Sequence, residues 1–556
     1  MWRQPRHACL RPFGLWRATC ATKGVSGDPP QAHPILFDAP VVPRAIGRDT
    51  ELLQLWQNLL SGRRRQAIIG PDGIGKSTIA AEFCNRARRS ERFTCIRWFN
   101  AQDSVKCRLM DFFHSVKERK EKNILLVMDG VHDIMKTFQL VPDHPNLYTL
   151  LTSNAEIEGN ESFAVLKTPP LSECVLAQFT RLSESESSLR FVEEVFRSLG
   201  YVPLLMHIAA CLMEGETISP ETLLHVLRDK GVGAGETLSI SHAINVLMDA
   251  SLASLEATHP GGTEHVEAFA FFNLDNIPYT AVDLIVGEGA GEQFAALLSG
   301  LGICTQRWEE PSLSIHPCVA TFLQSRADSS ALLKSAAVLQ SLWPRRWRGT
   351  SSTVVYELVE HTRAILSSFD SRKIPVNDDL LMSLDRSATF LAINEGKELG
   401  RAAEFWVRAI EANRRDNKQT TEAVRMGREC GRLLHYLRDS RAADVLQYSF
   451  ELAGNVHGKQ SPEAALILGC YAPYLPASPA TLQQLNDGVG VLEACISSVD
   501  TVLGKEEGRM LLQTVFVLLV CQGQVLQELG DTVPQSLWVA IRNVEERIKS
   551  GKWERS

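Results

Sequence analysis

The chain has 556 residues, 44% of them hydrophobic and 22% charged, with a formal net charge of −7 and an isoelectric point near 6.1. The length suits about three to five domains with sizeable cores. The charge balance argues against a protein organised around nucleic acid or an anionic membrane. The thirteen cysteines are scattered and form no CxxC pair, which argues against a zinc ribbon or a disulfide framework.

In chain order, residues 1–27 stand apart. They carry Arg3, Arg6, Arg11, Arg17 and Lys23 among Trp2, Leu10, Phe13, Leu15 and Trp16, with no acid before Asp28. This composition is what mitochondrial import reads, and it predicts a matrix protein. Pro5 and Pro12 interrupt any continuous amphipathic helix, so a basic tail on a cytoplasmic protein is the alternative. Residues 28–41 (DPPQAHPILFDAPV) read as a Pro-rich linker.

Over 42–180 short apolar runs alternate with helical stretches. QAIIG (66–70), CIRWF (95–99), ILLVMD (124–129) and LYTLLTS (147–153) predict buried strands of a parallel α/β sheet. From 181 the pattern turns helical, with Leu189, Val192, Val195, Phe196 and Leu199 on one face. We expect a small helical domain over 181–235 and a winged-helix-like domain over 236–330. Residues 331–556 read as helix throughout. Within them a small–x3–large–x2–small pattern recurs at Ala402/Trp406/Ala409, Ala442/Leu446/Ser449 and Gly488/Leu492/Cys495, at intervals of 40 and then 46 residues. Stacked helix pairs forming a repeat solenoid would produce it, and a non-repetitive bundle is the alternative. Residues 509–556 fit the pattern poorly and read as a cap. The best apolar run, Val515–Cys521, is short of the roughly 20 residues a membrane span needs and reads as a buried helix, so no transmembrane segment is expected.

The chemistry is concentrated in GPDGIGKST, Gly70 to Thr78, which fits GxxxxGK[ST] in full between an apolar strand and a helix. The pattern predicts a phosphate loop. Gly70, Gly73 and Gly75 permit backbone angles that turn successive N–H groups onto phosphate oxygens at a helix N-terminus. Lys76 would reach the β- and γ-phosphates and Ser77 would ligate Mg²⁺, with Thr78 beside it. Asp129 ends an apolar strand, where the second Mg²⁺ partner is expected. Gly130 follows it, where an acid that orients the attacking water is often found. Asp133 is close in sequence and reads equally as a catalytic acid or a helix N-cap.

The order of motifs resembles the STAND class of P-loop ATPases, in its NB-ARC branch with C-terminal tetratricopeptide-like repeats. VPRAIGRDTELLQLWQNL (42–59) resembles the segment that opens these domains, IRWFNAQD (96–103) the second-strand signature and LLTSN (150–154) the sensor strand. LGYVPLLMHIAACL (199–212) resembles the GxP motif, and LSIHPCVATFLQS (313–325) the winged-helix segment with its phosphate-contacting histidine. The resemblance spans roughly residues 42–330. It implies that Arg48 lies beside the adenine and that Asn154, Pro203 and His316 line the nucleotide. Each has a plainer reading: a salt bridge for Arg48, the first residue of a helix for Pro203, a hydrogen-bonded core histidine for His316. Trp98 and Asn100 read as strand and turn residues.

Asn154 stands where the family has a sensor arginine, and an amide stabilises a γ-phosphate less than a charged guanidinium does. Together with Gly130 this favours binding over turnover. The expectation is a switch holding ATP or ADP with Mg²⁺, at most a slow ATPase, that engages a protein partner through its repeats and forms a homo-oligomer on activation. The alternative is a scaffold with a structural nucleotide. Nucleic acid is not expected as a partner. The only tight basic clusters, RRR (63–65) and RRWRG (345–349), are short and read as solvated surface.

Overall fold

The structure, a computed structural model, describes residues 36–37, 39–40, 45–100, 112–113, 123–155, 157, 163–173, 186–214, 217–233, 238–307, 311–344, 351–393, 398–498 and 505–550. The segment 1–27, most of the linker, Ala101–Asp103 and RRWRG lie outside the described residues. Two units form. One comprises the residues up to Ile69 together with Ser77–Lys167; the other comprises Gly70–Lys76 with Thr168–Ser556.

The first unit is built on a parallel sheet of β1 (Leu36–Phe37), β2 (Arg65–Ile69), β3 (Cys95–Asn100), β4 (Ile124–Asp129), β5 (Leu147–Ser153) and β6 (Ala164–Lys167), in the order β1-β3-β4-β5-β2-β6. The four predicted strands are all present. β1 and β6 were not anticipated. β1 is two residues inside the Pro-rich stretch read as linker, and pairing of Leu36 and Phe37 with Cys95 and Ile96 of β3 is what makes it a strand. β6 is four residues long and pairs with β2. Neither is long enough to declare itself by its own pattern.

Alternation along the strands divides the core in two. Ile68, Ile96, Leu125, Val127 and Leu150 meet the apolar faces of the helices Asp49–Leu60 and Lys76–Arg89, through Leu52, Leu55, Ile79 and Phe83. Ala67, Ile69, Leu126, Met128 and Leu151 face the other way, onto Ile134 and Phe138 of the helix Ile134–Leu140. The sheet is therefore covered on both sides, as parallel strands require. All β4 side chains are buried except Asp129 at its end. Arg64 of the RRR cluster donates to the carbonyl of His144 at 2.7 Å, and Arg65 donates to the carbonyl of Val141 at 3.3 Å.

The second unit begins with helices Glu186–Ser198, Pro203–Glu214 and Pro220–Asp229. Beyond Ile240 short helices mix with a small antiparallel sheet of β7 (Ile277–Pro278), β8 (Thr305–Arg307) and β9 (Ser312–Ser314), in the order β7-β9-β8. The described residues from Ser329 onward are helical apart from turns. The three copies of the small–large–small pattern fall in the helices Leu399–Arg415, Ala442–Val456 and Pro479–Ser498. Each packs against the helix after it: Thr421–Leu437, Pro462–Tyr471 and Lys505–Glu528 respectively. Residues 509–528 thus complete the third pair rather than cap it. Only Gln535–Ser550 is left in the terminal position.

Charge pairs follow the same spacing. Arg401 meets Glu360, Arg425 meets Asp385 and Arg441 meets Glu404, at separations of 41, 40 and 37 residues. Asp385 is buried and also accepts from the indole N–H of Trp406 at 3.0 Å, so its charge is satisfied twice.

Within Lys505–Glu528 the stretch Met510–Glu528 is long and apolar enough to cross a membrane by length and composition, which the shorter run Val515–Cys521 did not disclose. Here its residues Leu512, Val515, Leu518 and Leu519 pack into a core with Leu468, Leu485 and Leu492 of neighbouring helices.

Close helix approach depends on glycine. A Cβ on Gly427 would strike Ser449, and one on Gly431 would strike Leu446, both on the facing helix Ala442–Val456. Gly431→Val is expected to destabilise the protein by about 1–3 kcal/mol through overpacking. A thermal midpoint by circular dichroism unchanged from wild type would contradict this packing.

Candidate functional site

A cluster of polar groups lies at the C-terminal ends of β4 and β5 in the first unit. Ser77 donates its hydroxyl to Asp129 Oδ1 at 2.8 Å. Thr152, near the end of β5, donates to the same oxygen. The N–H of Gly130 in turn donates to Thr152 Oγ1 at 2.8 Å, and the N–H of Val131 donates to the carbonyl of Thr152, also at 2.8 Å. Asp129 is thus aimed by a buried threonine that is itself held by the turn after β4. Two hydroxyls on one carboxylate oxygen form the kind of hard-oxygen cluster that suits Mg²⁺.

Gly130 has φ +77°. An acid there would have to adopt a left-handed backbone, so the missing second carboxylate follows from the turn that lets Gly130 bond to Thr152. Asp133 is the N-cap of the helix Ile134–Leu140 and accepts from the Lys136 N–H at 2.9 Å. That bond and the Lys136 ammonium hold its carboxyl below the usual range. Of its two readings, the geometry is that of a cap. Asn154 is exposed in the bend after β5. Arg48 is buried and paired with Glu51 at 2.9 Å at the start of the helix Asp49–Leu60. Its guanidinium forms the salt bridge of the plainer reading.

Of the predicted phosphate loop, Gly70–Lys76 belong to the second unit and Ser77 and Thr78 to the first. Lys76 is 10% exposed and curls back, donating to the carbonyls of Gly70 and Pro71, each at 2.9 Å. The N–H of Leu204 donates to the carbonyl of Gly73 at 3.2 Å. A Cβ on Gly73 would lie 2.9 Å from Leu204 Cβ, and Gly73 has φ +75°, so only glycine allows both the turn and the contact. Leu204 follows Pro203, the first residue of the helix Pro203–Glu214. Pro203 therefore starts a helix, as in its plainer reading, and that helix start is bonded to the loop. Thr78 is exposed on the first turn after Lys76.

His316 is not a core residue. Its ring is open to solvent and it caps the helix Pro317–Arg326, with Nδ1 accepting from the Cys318 N–H at 3.2 Å. An imidazole that accepts at Nδ1 carries its proton on Nε2, which leaves a donor pointing away from the cap. Surrounding protein lowers its pKa to about 4 chiefly by desolvation; Asp72 opposes the shift, and Lys76 and His207 add to it. His316 and the loop therefore share one electrostatic environment.

Thr168 tests the fit to a polar ligand. It is 6% exposed, and its hydroxyl finds no partner among the described residues. It lies behind the start of the loop, where a Cβ on Gly70 would come 3.3 Å from the Thr168 carbonyl. An orphaned hydroxyl beside a cradle that excludes side chains fits a ligand rich in oxygen. Sequence reasoning did not single out Thr152, Thr168 or Asp72. For Thr152 the available signal was a hydroxyl near the end of an otherwise apolar strand.

No family model matches the chain. Uncharacterized proteins of Mycobacterium tuberculosis and Mycobacterium bovis are 26% identical over 218 residues, covering 33% of this chain and 54% of theirs. The chain thus spans about half the length of the curated relatives it matches. Among solved structures it is similar to a Signal Transduction ATPase with Numerous Domains (STAND) protein with a tetratricopeptide repeat sensor from Pyrococcus horikoshii. That similarity has 12% identity and a TM-score of 0.45 over 93% of this chain and 79% of that one.

Thr152→Val removes the acceptor for the Gly130 N–H and one donor to Asp129. It should cost about 1–3 kcal/mol in urea unfolding, the usual penalty for an unmet buried polar group. A neutral result would mean that the relay through Thr152 contributes nothing.

Proposed function

We propose that the chain is a STAND-type switch. ATP or ADP held by Gly70–Thr78 controls partner binding or assembly through the C-terminal helices, and hydrolysis is slow or absent. The observation that carries the reading is the bond from the Leu204 N–H to Gly73. A loop that adjusts to phosphate must move against the helix Pro203–Glu214, so loop occupancy has a mechanical consequence. For a switch to result, ATP and ADP must bind two forms of the protein with different affinity.

In this reading the N–H groups of the loop and Lys76 bind phosphate oxygens, and the Nε2–H of His316 donates to the same group. Ser77 and Asp129 would hold Mg²⁺, which supplies charge neutralisation when bound. Weak turnover is favoured by three features: the left-handed Gly130, the capping role of Asp133 and the uncharged Asn154. The same features favour the second reading, a scaffold with a permanent nucleotide. The two part company on exchange, since a scaffold retains its nucleotide over hours. Homo-oligomerisation on activation belongs to the first reading. Import into the mitochondrial matrix, directed by residues 1–27, is a separate part of the proposal. A reporter fused to those residues that stays in the cytoplasm removes it.

Mass spectrometry of the purified protein should find ADP or ATP. Lys76→Ala should lose it, with affinity falling about 10- to 100-fold for one charge-assisted contact. Protein that neither retains nor binds nucleotide in calorimetry would falsify the switch, as would rapid ATP turnover abolished by Asp129→Ala.

The histidine adds a pH signature. His316 is held neutral in the free protein, and a phosphate beside Nε2 would raise its pKa, so binding takes up a proton. Relative to a protein without the imidazole, affinity for ADP should therefore rise as pH falls from about 7 towards about 5, against the fall caused by protonation of the nucleotide's own terminal phosphate. That contribution should vanish in His316→Gln. An equal slope in both proteins would exclude His316 from the phosphate.

A further inference from the structure

The loop GPDGIGKST carries its own anion. Lys76 Nζ lies 3.6 Å from Asp72 Oδ1, within ion-pair range, while donating to the carbonyls of Gly70 and Pro71. The same carboxylate is felt at the start of the helix Pro317–Arg326. Desolvation is the main influence on His316, which it lowers, and on Cys318, which it raises; Asp72 acts as an upward influence on both. Asp72 therefore pairs with the lysine that a bound phosphate would also face, and its charge is felt at the histidine. Among these three groups the charges are −1 on Asp72 and +1 on Lys76, with His316 neutral. The Lys76–Asp72 pair thus offers an incoming phosphate no net charge.

From this juxtaposition we infer that Asp72 is an affinity-setting residue of the phosphate loop: it stands in for phosphate towards Lys76 and His316 and must be displaced before a nucleoside di- or triphosphate binds. The inference rests on the nucleotide reading above and names a regulator of that same site. The displacement is physically easy. The Asp72 side chain is 59% exposed, so its ion pair with Lys76 is partly solvated and weak. Lys76 must also leave two carbonyls that any phosphate loop of this shape presents. Asp72 adds to that competition a direct repulsion of the ligand's charge. Its expected effect is to lower nucleotide affinity and speed exchange relative to the same loop without the carboxylate.

The test is an equilibrium titration of fluorescent ADP into the full chain. Asp72→Asn and Asp72→Ala should each bind about three- to tenfold more tightly than wild type, as loss of an exposed pair plus a repulsion allows. Asp72→Glu should stay within about twofold of wild type. The gain should shrink at about 0.5 M salt, where charge interactions are screened. Equal or weaker binding by both Asp72→Asn and Asp72→Ala would overturn the inference while leaving nucleotide binding intact. A gain that survives high salt would also overturn it, because it would come from loop shape and not from charge. Failure of folded wild-type protein to bind ADP at all would instead remove the nucleotide reading, and the role of Asp72 with it.

Discussion

The close approach of the helix Pro203–Glu214 to the phosphate loop is the constraint on which the reading of this molecule depends. A glycine at position 73 turns left-handed, presents its carbonyl to the Leu204 N–H and leaves no side chain in the way. A phosphate loop in isolation is a local device, a set of N–H groups and a lysine. Bonded to the first turn of a helix, it becomes one surface of a packed interface. Packed interfaces favour discrete arrangements over gradual deformation, which is the physical basis that the proposed nucleotide-dependent switching would use.

The acidic cluster of the first unit has a different character. Asp129 receives hydroxyls from Ser77 and Thr152, and Thr152 is fixed by the turn at Gly130. Orientation of this kind favours a well-defined cation site, because the carboxylate does not have to be ordered on binding. The turn that supplies it also rules out a comfortable acid at position 130, and the nearby Asp133 caps a helix. In the proposed reading, firm holding and weak water activation would thus arise from the same few residues.

Beyond the site, the helical region is organised by close contacts at glycine and by charge pairs spaced like the helix pairs themselves. Exposed ion pairs contribute little stability each. Their value is register: Arg401, Arg425 and Arg441 each find an acid on the preceding repeat only if the helix pairs stack in one alignment. The buried Asp385, held by Arg425 and by Trp406, adds a penalty for any other alignment. A rigidly registered array can carry a displacement along its length, which a loosely packed bundle would absorb.

Much of this was legible in the sequence where the chemistry is local. The strands Ile124–Asp129 and Leu147–Ser153 appear within the limits their apolar runs predict, because burial on both faces of a parallel sheet leaves a continuous hydrophobic signature. The spacing of Gly70, Gly73, Gly75, Lys76 and Ser77 announced a phosphate loop because backbone geometry and charge there leave few alternatives. The sequence alone could not choose among roles that differ only in their neighbours. Asp133 was as good an acid as a cap, Arg48 as good a ligand as a salt bridge, and His316 read as a phosphate contact or a core histidine, with nothing to announce that its Nδ1 caps a helix. The short strands β1 and β6 exist because a neighbouring strand supplies their hydrogen bonds. Thr152 and Asp72 matter only through partners 23 and 4 residues away. Local propensity and motif spacing are written in consecutive residues, whereas the partner of a polar group is decided by the packing that brings distant segments together.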